Sequence, residues 1–176
     1  MRHQLRKNIA DLSRTTRRAG AGFTLIELLI VVAIISALAI TVFVALNPQR
    51  RIIEARDAKR AVDVSTLLDA IHSYVVDNRG SLPTGLTPGM PEKQIGTGNA
   101  TACSPISSGG CSVVEGTACI DLAVSIPNYL KSNPIDPEGG TYTSDNTGYT
   151  VTVDSSNVVT IKACGTQGTT PISVSR

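Results

Sequence analysis

"AGAGFTLIELLIVVAIISALAITVFVALNP", residues 19–48, decides how the rest of the chain is read. Residues 28–46 run for 19 positions without a charge, a Gly or a Pro, and the apolar FTLI before Glu27 lengthens the run. About 20 apolar residues span the hydrocarbon core of a bilayer as a helix. A secretory signal has a shorter apolar region closed by a small-residue cleavage site. Here Asn47 and Pro48 follow instead, so the segment is expected to stay with the protein as a membrane-spanning helix. One carboxylate, Glu27, stands near its start, and Gly22 immediately precedes the run. An acidic residue at the centre of a membrane helix costs about 2.5–3.5 kcal/mol on insertion scales. The cost falls towards the helix end, but Glu27 still needs a reason.

The chain has 176 residues and a net charge of +2. That charge misleads. Residues 1–22 hold six of the 16 basic residues (Arg2, Arg6, Lys7, Arg14, Arg17 and Arg18) and one of the 14 acids, Asp11. Residues 23–176 therefore carry 10 − 13 = −3. A basic body would suggest nucleic acid or acidic lipid; this body is not basic, and no specific nucleic-acid partner is inferred.

Helical spacing continues beyond the apolar run. Val64, Leu67, Leu68, Ile71 and Val75 form one stripe at i, i+3, i+4, i+7 and i+11. Asp63, Asp69 and Asp77 lie off it. Gly80 is a stop, and Pro83 confirms that the helix has ended. Pro48 lacks an N–H and crowds the preceding turn. It predicts a single helix bent or loosened there, the alternative being two helices with Asn47 capping the second. Thr24 to Asn78 is 55 residues, or about 80 Å of helix. His72 lies beside the stripe and receives no role. Arg50, Arg51, Arg56, Lys59 and Arg60, interleaved with Glu54 and Asp57, read either as a solvated helix face or as a contact for lipid headgroups or neighbouring subunits.

Residues 81–118 are rich in Gly, Pro, Ser and Thr and read as a loop. They contain Cys103 and Cys111; Cys119 follows, and Cys164 comes near the end. No CxxC pair and no nearby His completes a zinc site. Disulfides are expected if the domain is exported. Four cysteines permit three pairings; Cys103–Cys111 with Cys119–Cys164 is favoured here. Residues 119–134 predict a short helix with Leu122, Ile126, Tyr129 and Leu130 on one side, ended by Pro134 and interrupted by Pro127. Residues 141–144 (TYTS), 149–153 (YTVTV) and 158–164 (VVTIKAC) predict strands, the last two joined by a turn at 154–157. The tail from Gly165 is expected to be loose. Asp136, Glu138, Asp145 and Asp154 could hold calcium, although acids in such positions are ordinary turn chemistry; no metal or cofactor is assigned. The expected class is α+β: a long N-terminal helix and a small antiparallel sheet packed on its outer half.

No Ser/His/Asp set, HExxH, Gly-rich phosphate loop or nucleophile elbow is present, so no enzyme is read. At GFTLIELLIVVAIISALAI the chain resembles the type IV pilins and type II secretion pseudopilins: a basic leader, Gly22, Phe23, Glu27 four residues later, then the apolar run. The resemblance implies leader removal between Gly22 and Phe23 by a prepilin peptidase, N-methylation of Phe23, and assembly with other subunits at an inner-membrane platform. It implies a leader at 1–22, a filament-core helix at 23–49 and an exported domain at 50–176. Within that domain fall a helix continuation (50–79), a Cys-rich connector (80–135) and strands (140–164). Many pilins have a helix-loosening proline about where Val44 stands, so a kink would be displaced towards Pro48. Glu27 gains a reason: the ammonium of Phe23, its own or a neighbour's, would neutralise it and favour paired helices. The alternative is a simple acid favoured by the helix dipole. Ala33, Ser36, Ala37 and Ala39 would allow close helix approach. Basic residues flank the span on both sides, so charge barely orients it. The cleavage motif and the cysteines place the C-terminal domain outside, first on a single-pass membrane precursor and then on a surface pilus or periplasmic pseudopilus. The competing reading is a non-polymerising single-span membrane protein with an exported ligand-binding domain.

Overall fold

The computed structural model describes residues 22–99, 103–114, 118–168 and 170–176; the leader, apart from Gly22, lies outside them. The chain divides into two compact units at Asn47/Pro48. The first contains α1 (Leu25–Leu46). Thr24 caps it, its hydroxyl accepting from the Glu27 N–H at 3.3 Å, which satisfies one of the unpaired donors of the first turn. Asn47 closes it in the left-handed conformation (φ 41, ψ 72), which Asn tolerates better than most residues.

The second unit begins with α2 (Pro48–Asp77). Pro48 occupies the first helical position, where a missing N–H costs nothing. The helical run is thus interrupted at one residue. Asn47 ends the first segment, and the break lies beside Pro48, not at Val44. At the far end Gly80 N–H bonds Val75 O at 2.8 Å. The left-handed residue before it is Arg79 (φ 57), so the stop is shared between Arg79 and Gly80.

Four antiparallel strands follow in the order β1 (Met90–Gln94), β2 (Tyr149–Val153), β3 (Val159–Ala163) and β4 (Ile172–Ser175). The 154–157 turn is built as expected: the Asp154 carboxylate accepts from Ser156 N–H at 2.7 Å and Val158 N–H at 2.9 Å. α2 packs against β3 and β4. The predicted stripe forms the heart of the core: Val64, Leu67, Leu68 and Ile71 are buried together with Tyr149, Val151, Val153 and Ile161. A one-turn α3 (Leu122–Ser125), capped by Asp121, adds Leu122 and then Ile126 and Leu130. It is shorter than predicted and ends just before Pro127.

Three expectations are corrected. Residues 141–144 are turn and bend, not strand. The partner of β2 is instead MPEKQ of β1, drawn from the stretch read as loop. The tail is not loose: Ile172–Ser175 completes the sheet, Val174 pairing with Ile161, and Ile172 and Val174 pack against the core. The disulfides are Cys103–Cys119 and Cys111–Cys164, not Cys103–Cys111 and Cys119–Cys164. The interleaving follows from β1. Once β1 joins the sheet, the connector lies across the sheet face turned away from α2. Ser108 Oγ then donates to Cys164 O at 3.0 Å, which holds Cys111 over the end of β3. Cys119 N–H bonds Gly98 O at 3.0 Å, which holds Cys119 near Cys103. That second face is polar yet covered: Gln94 and Thr150 are buried. The nearly buried Glu92 carboxylate accepts from Ser112 N–H and Lys162 Nζ, both at 3.1 Å, and from the Thr150 hydroxyl.

Candidate functional site: the leader junction and the apolar helix

Gly22 and Phe23 precede the helix and are exposed, Phe23 at 82%, so the peptide bond between them is accessible among the described residues. Thr24 then fixes where the helix starts. That places Glu27 in the first turn, four residues from Phe23, where the positive end of the helix dipole favours a carboxylate. Thr24-x-x-Glu27 also has the capping-box spacing. That spacing is already legible in the sequence.

Beyond Glu27, α1 has only two polar side chains, Ser36 and Thr41. Each satisfies itself on its own helix: Ser36 Oγ donates to Val32 O and Thr41 Oγ1 to Leu38 O, both at 2.7 Å. A hydroxyl surrounded by hydrocarbon needs such a partner. No residue of α1 is buried. Sixteen large apolar side chains from Phe23 to Leu46 are exposed. Monomeric soluble proteins rarely expose apolar patches beyond a few hundred Å², so this helix needs lipid or other helices around it. Its 22 residues give about 33 Å at 1.5 Å per residue, enough to cross a membrane. The small positions Ala33, Ser36, Ala37 and Ala39 lie on this surface.

The second unit carries the other candidates. Arg60 is fully buried rather than on a solvated face. Its guanidinium grips the equally buried Asp136 carboxylate through two bonds, Nε to Oδ2 at 2.6 Å and Nη2 to Oδ1 at 2.7 Å. It also donates to Asp57 at 2.7 Å and approaches Glu138 at 3.6 Å. Burial alone would lower the Arg60 pKa, but the hydrogen bonds to Asp136 and Asp57 outweigh it and hold the guanidinium charged. Asp57 further accepts from the Gln167 and Gly168 N–H groups, tying the β3–β4 loop to α2. Asp63, expected off the buried stripe, is buried as well, accepting from Tyr149 Oη at 2.8 Å and Lys59 Nζ at 3.0 Å. Burial first, and the Asp63 bond second, push the Tyr149 pKa far above the ordinary tyrosine range.

The acids read as possible calcium ligands have partners within the chain. Asp136 serves Arg60, Asp145 accepts from Thr97, and Asp154 caps its turn. Among the described residues no group of three or more His, Cys, Asp or Glu is placed to hold a metal.

Residues 17–43 match the family model of the prokaryotic N-terminal methylation motif. No curated protein and no solved structure matches the chain. The matched segment contains Gly22, Phe23, Glu27 and most of α1, and through it the chain carries a prepilin-type leader of the kind found on type IV pilins and pseudopilins.

Proposed function

We propose that this chain is a structural subunit of a type IV pilus or pseudopilus, cut after Gly22 and assembled through α1. The observation that carries the reading is a fully exposed apolar helix directly behind a prepilin-type leader. A helix of this length can be accommodated in lipid before assembly and against other subunits' helices afterwards. Glu27 then opposes a lone helix in lipid and favours one whose neighbour brings an ammonium to it. The partners are the prepilin peptidase, an inner-membrane assembly platform, lipid and further subunits. The C-terminal unit lies outside the cytoplasmic membrane, where its two disulfides form, and no step requires catalysis by this chain. The test is intact-mass analysis of the protein from its own cells, together with imaging of sheared surface material. A mature chain starting at Phe23 and recovered in filaments is expected. Gly22→Val should block the cut, because the added side chain would clash in a peptidase site shaped for hydrogen. A retained leader in the presence of active peptidase overturns the assignment. Cleaved protein that never enters filaments favours the non-polymerising membrane reading.

A further inference from the structure

A pocket of about 300 Å³ lies between residues 104–108 and residues 141–146. Its walls are held before any ligand arrives. The first loop is pinned by the Ile106–Val113 bridge (Val113 N–H to Ile106 O, 2.8 Å) and by Ser108 Oγ on Cys164 O. Cys103 and Cys111 anchor it on either side. The second loop closes on itself through Thr143 N–H to Asn146 O at 3.0 Å. Ser104 N–H donates to Asn146 Oδ1 at 2.6 Å, joining the two loops. The Tyr142 ring lies against Gly148, where a Cβ would sit 2.8 Å from two ring carbons; any side chain there would displace the ring.

The chemistry of the lining is narrow. Ser104, Ser107 and Thr141 line the pocket, and among the described residues their hydroxyls have no hydrogen-bond partner, so each can donate and accept. Pro105, Ile106 and the half-exposed Tyr142 ring supply apolar surface. Burial first, then the charges of Asp136 and Glu138, raise the Tyr142 pKa, so its hydroxyl stays a donor. No charged side chain lines the pocket among the described residues. A phosphate, carboxylate or ammonium group would enter without a counter-charge in contact with it. A wholly apolar ligand would displace water from the hydroxyls and leave them unpaired. The volume is at the lower end of small-molecule sites, which suits one ring.

We propose that this pocket binds a neutral saccharide ring, its hydroxyls meeting Ser104, Ser107 and Thr141 and its C–H face meeting Tyr142 and Ile106. This goes beyond the assembly reading and does not depend on it, since every wall lies in residues 104–146 and the test needs no filament. The experiment is saturation-transfer NMR on the full-length mature chain in detergent micelles. The probes are glucose, galactose, N-acetylglucosamine and N-acetylgalactosamine, with glucuronate and glucosamine as charged controls. At least one neutral sugar should receive saturation and the controls none. Ser107→Trp, on an exposed loop position, should fill the pocket and abolish the transfer. Thr141→Val, which removes one hydroxyl at nearly constant shape, should weaken binding about tenfold. Transfer to none of the four neutral sugars on folded wild-type protein overturns the proposal. So does transfer that survives Ser107→Trp with an unchanged amide spectrum, or equal transfer to the charged controls.

Discussion

Replacing Arg60 by Met should be among the most damaging single changes in the second unit, and the damage should be recoverable. The guanidinium and the Asp136 carboxylate are both fully buried and joined by two bonds of 2.6 and 2.7 Å. The Gly165 backbone packs directly on them, an added Cβ there falling 2.7 Å from Asp136 Oδ2. Water therefore cannot replace the lost partner without moving the β3 end. Removing one member of such a pair costs about 3–5 kcal/mol, because the other is left charged and dry. A domain of this size is stable by about 5–15 kcal/mol, so about a fifth or more of its stability would go. With a urea slope of about 2 kcal/mol/M, the unfolding midpoint of the mature chain in detergent should fall by about 2 M. Arg60→Met with Asp136→Leu removes both buried charges and should recover most of that loss. Asp57 is then left with the Gln167 and Gly168 N–H groups and partial access to solvent. The assay is urea unfolding of wild type, both single variants and the double variant, with the disulfides intact. A cost below about 1 kcal/mol for Arg60→Met, or a double variant as unstable as the sum of the singles, would refute the claim that desolvated charge governs this site.

Glu27→Ala should leave membrane insertion intact or slightly improved, since a carboxylate leaves the apolar helix, while filament yield falls sharply; normal filaments without wild-type subunits would show charge pairing to be dispensable. Non-reducing peptide mapping should return Cys103–Cys119 and Cys111–Cys164. In the chain-entropy model these close 16 and 53 residues, about 3 and about 4 kcal/mol respectively. Cys111→Ser should therefore cost about 1 kcal/mol more than Cys103→Ser by thermal or urea unfolding, and the reverse order would contradict the loop argument. Stability should also fall in alkali. Because the folded Tyr149 pKa is raised, the native state keeps a proton that the unfolded chain releases from about pH 10. The associated stabilisation is complete below that pH and is lost as pH rises. Tyr149→Phe should flatten this alkaline decline while costing about 1–2 kcal/mol at neutral pH through the stranded Asp63; an unchanged alkaline slope would remove Tyr149 as its source.

What the sequence determined by itself was whatever is written at short range. Residues 28–46 read as a helix in an apolar surrounding, because they hold no charge and only two hydroxyls, Ser36 and Thr41. The Val64–Ile71 stripe repeats at helical spacing, and YTVTV with VVTIKAC alternates around an Asp154 turn that caps itself. Each signal is local, and each element formed where it was expected. The tertiary structure alone decided the rest. MPEKQ has no strand pattern, and it is a strand because the edge of β2 was open beside it. ISVS is too short to declare itself, and it is held by β3 and α2. Arg60 and Asp136 are 76 residues apart; each by itself reads as a surface charge, and only their meeting makes burial affordable. The disulfides follow the same logic. Spacing along the chain favours the nearest pair, but the bond forms between the sulfurs that the folded sheet brings together, and β1 was the element that laid Cys111 over Cys164.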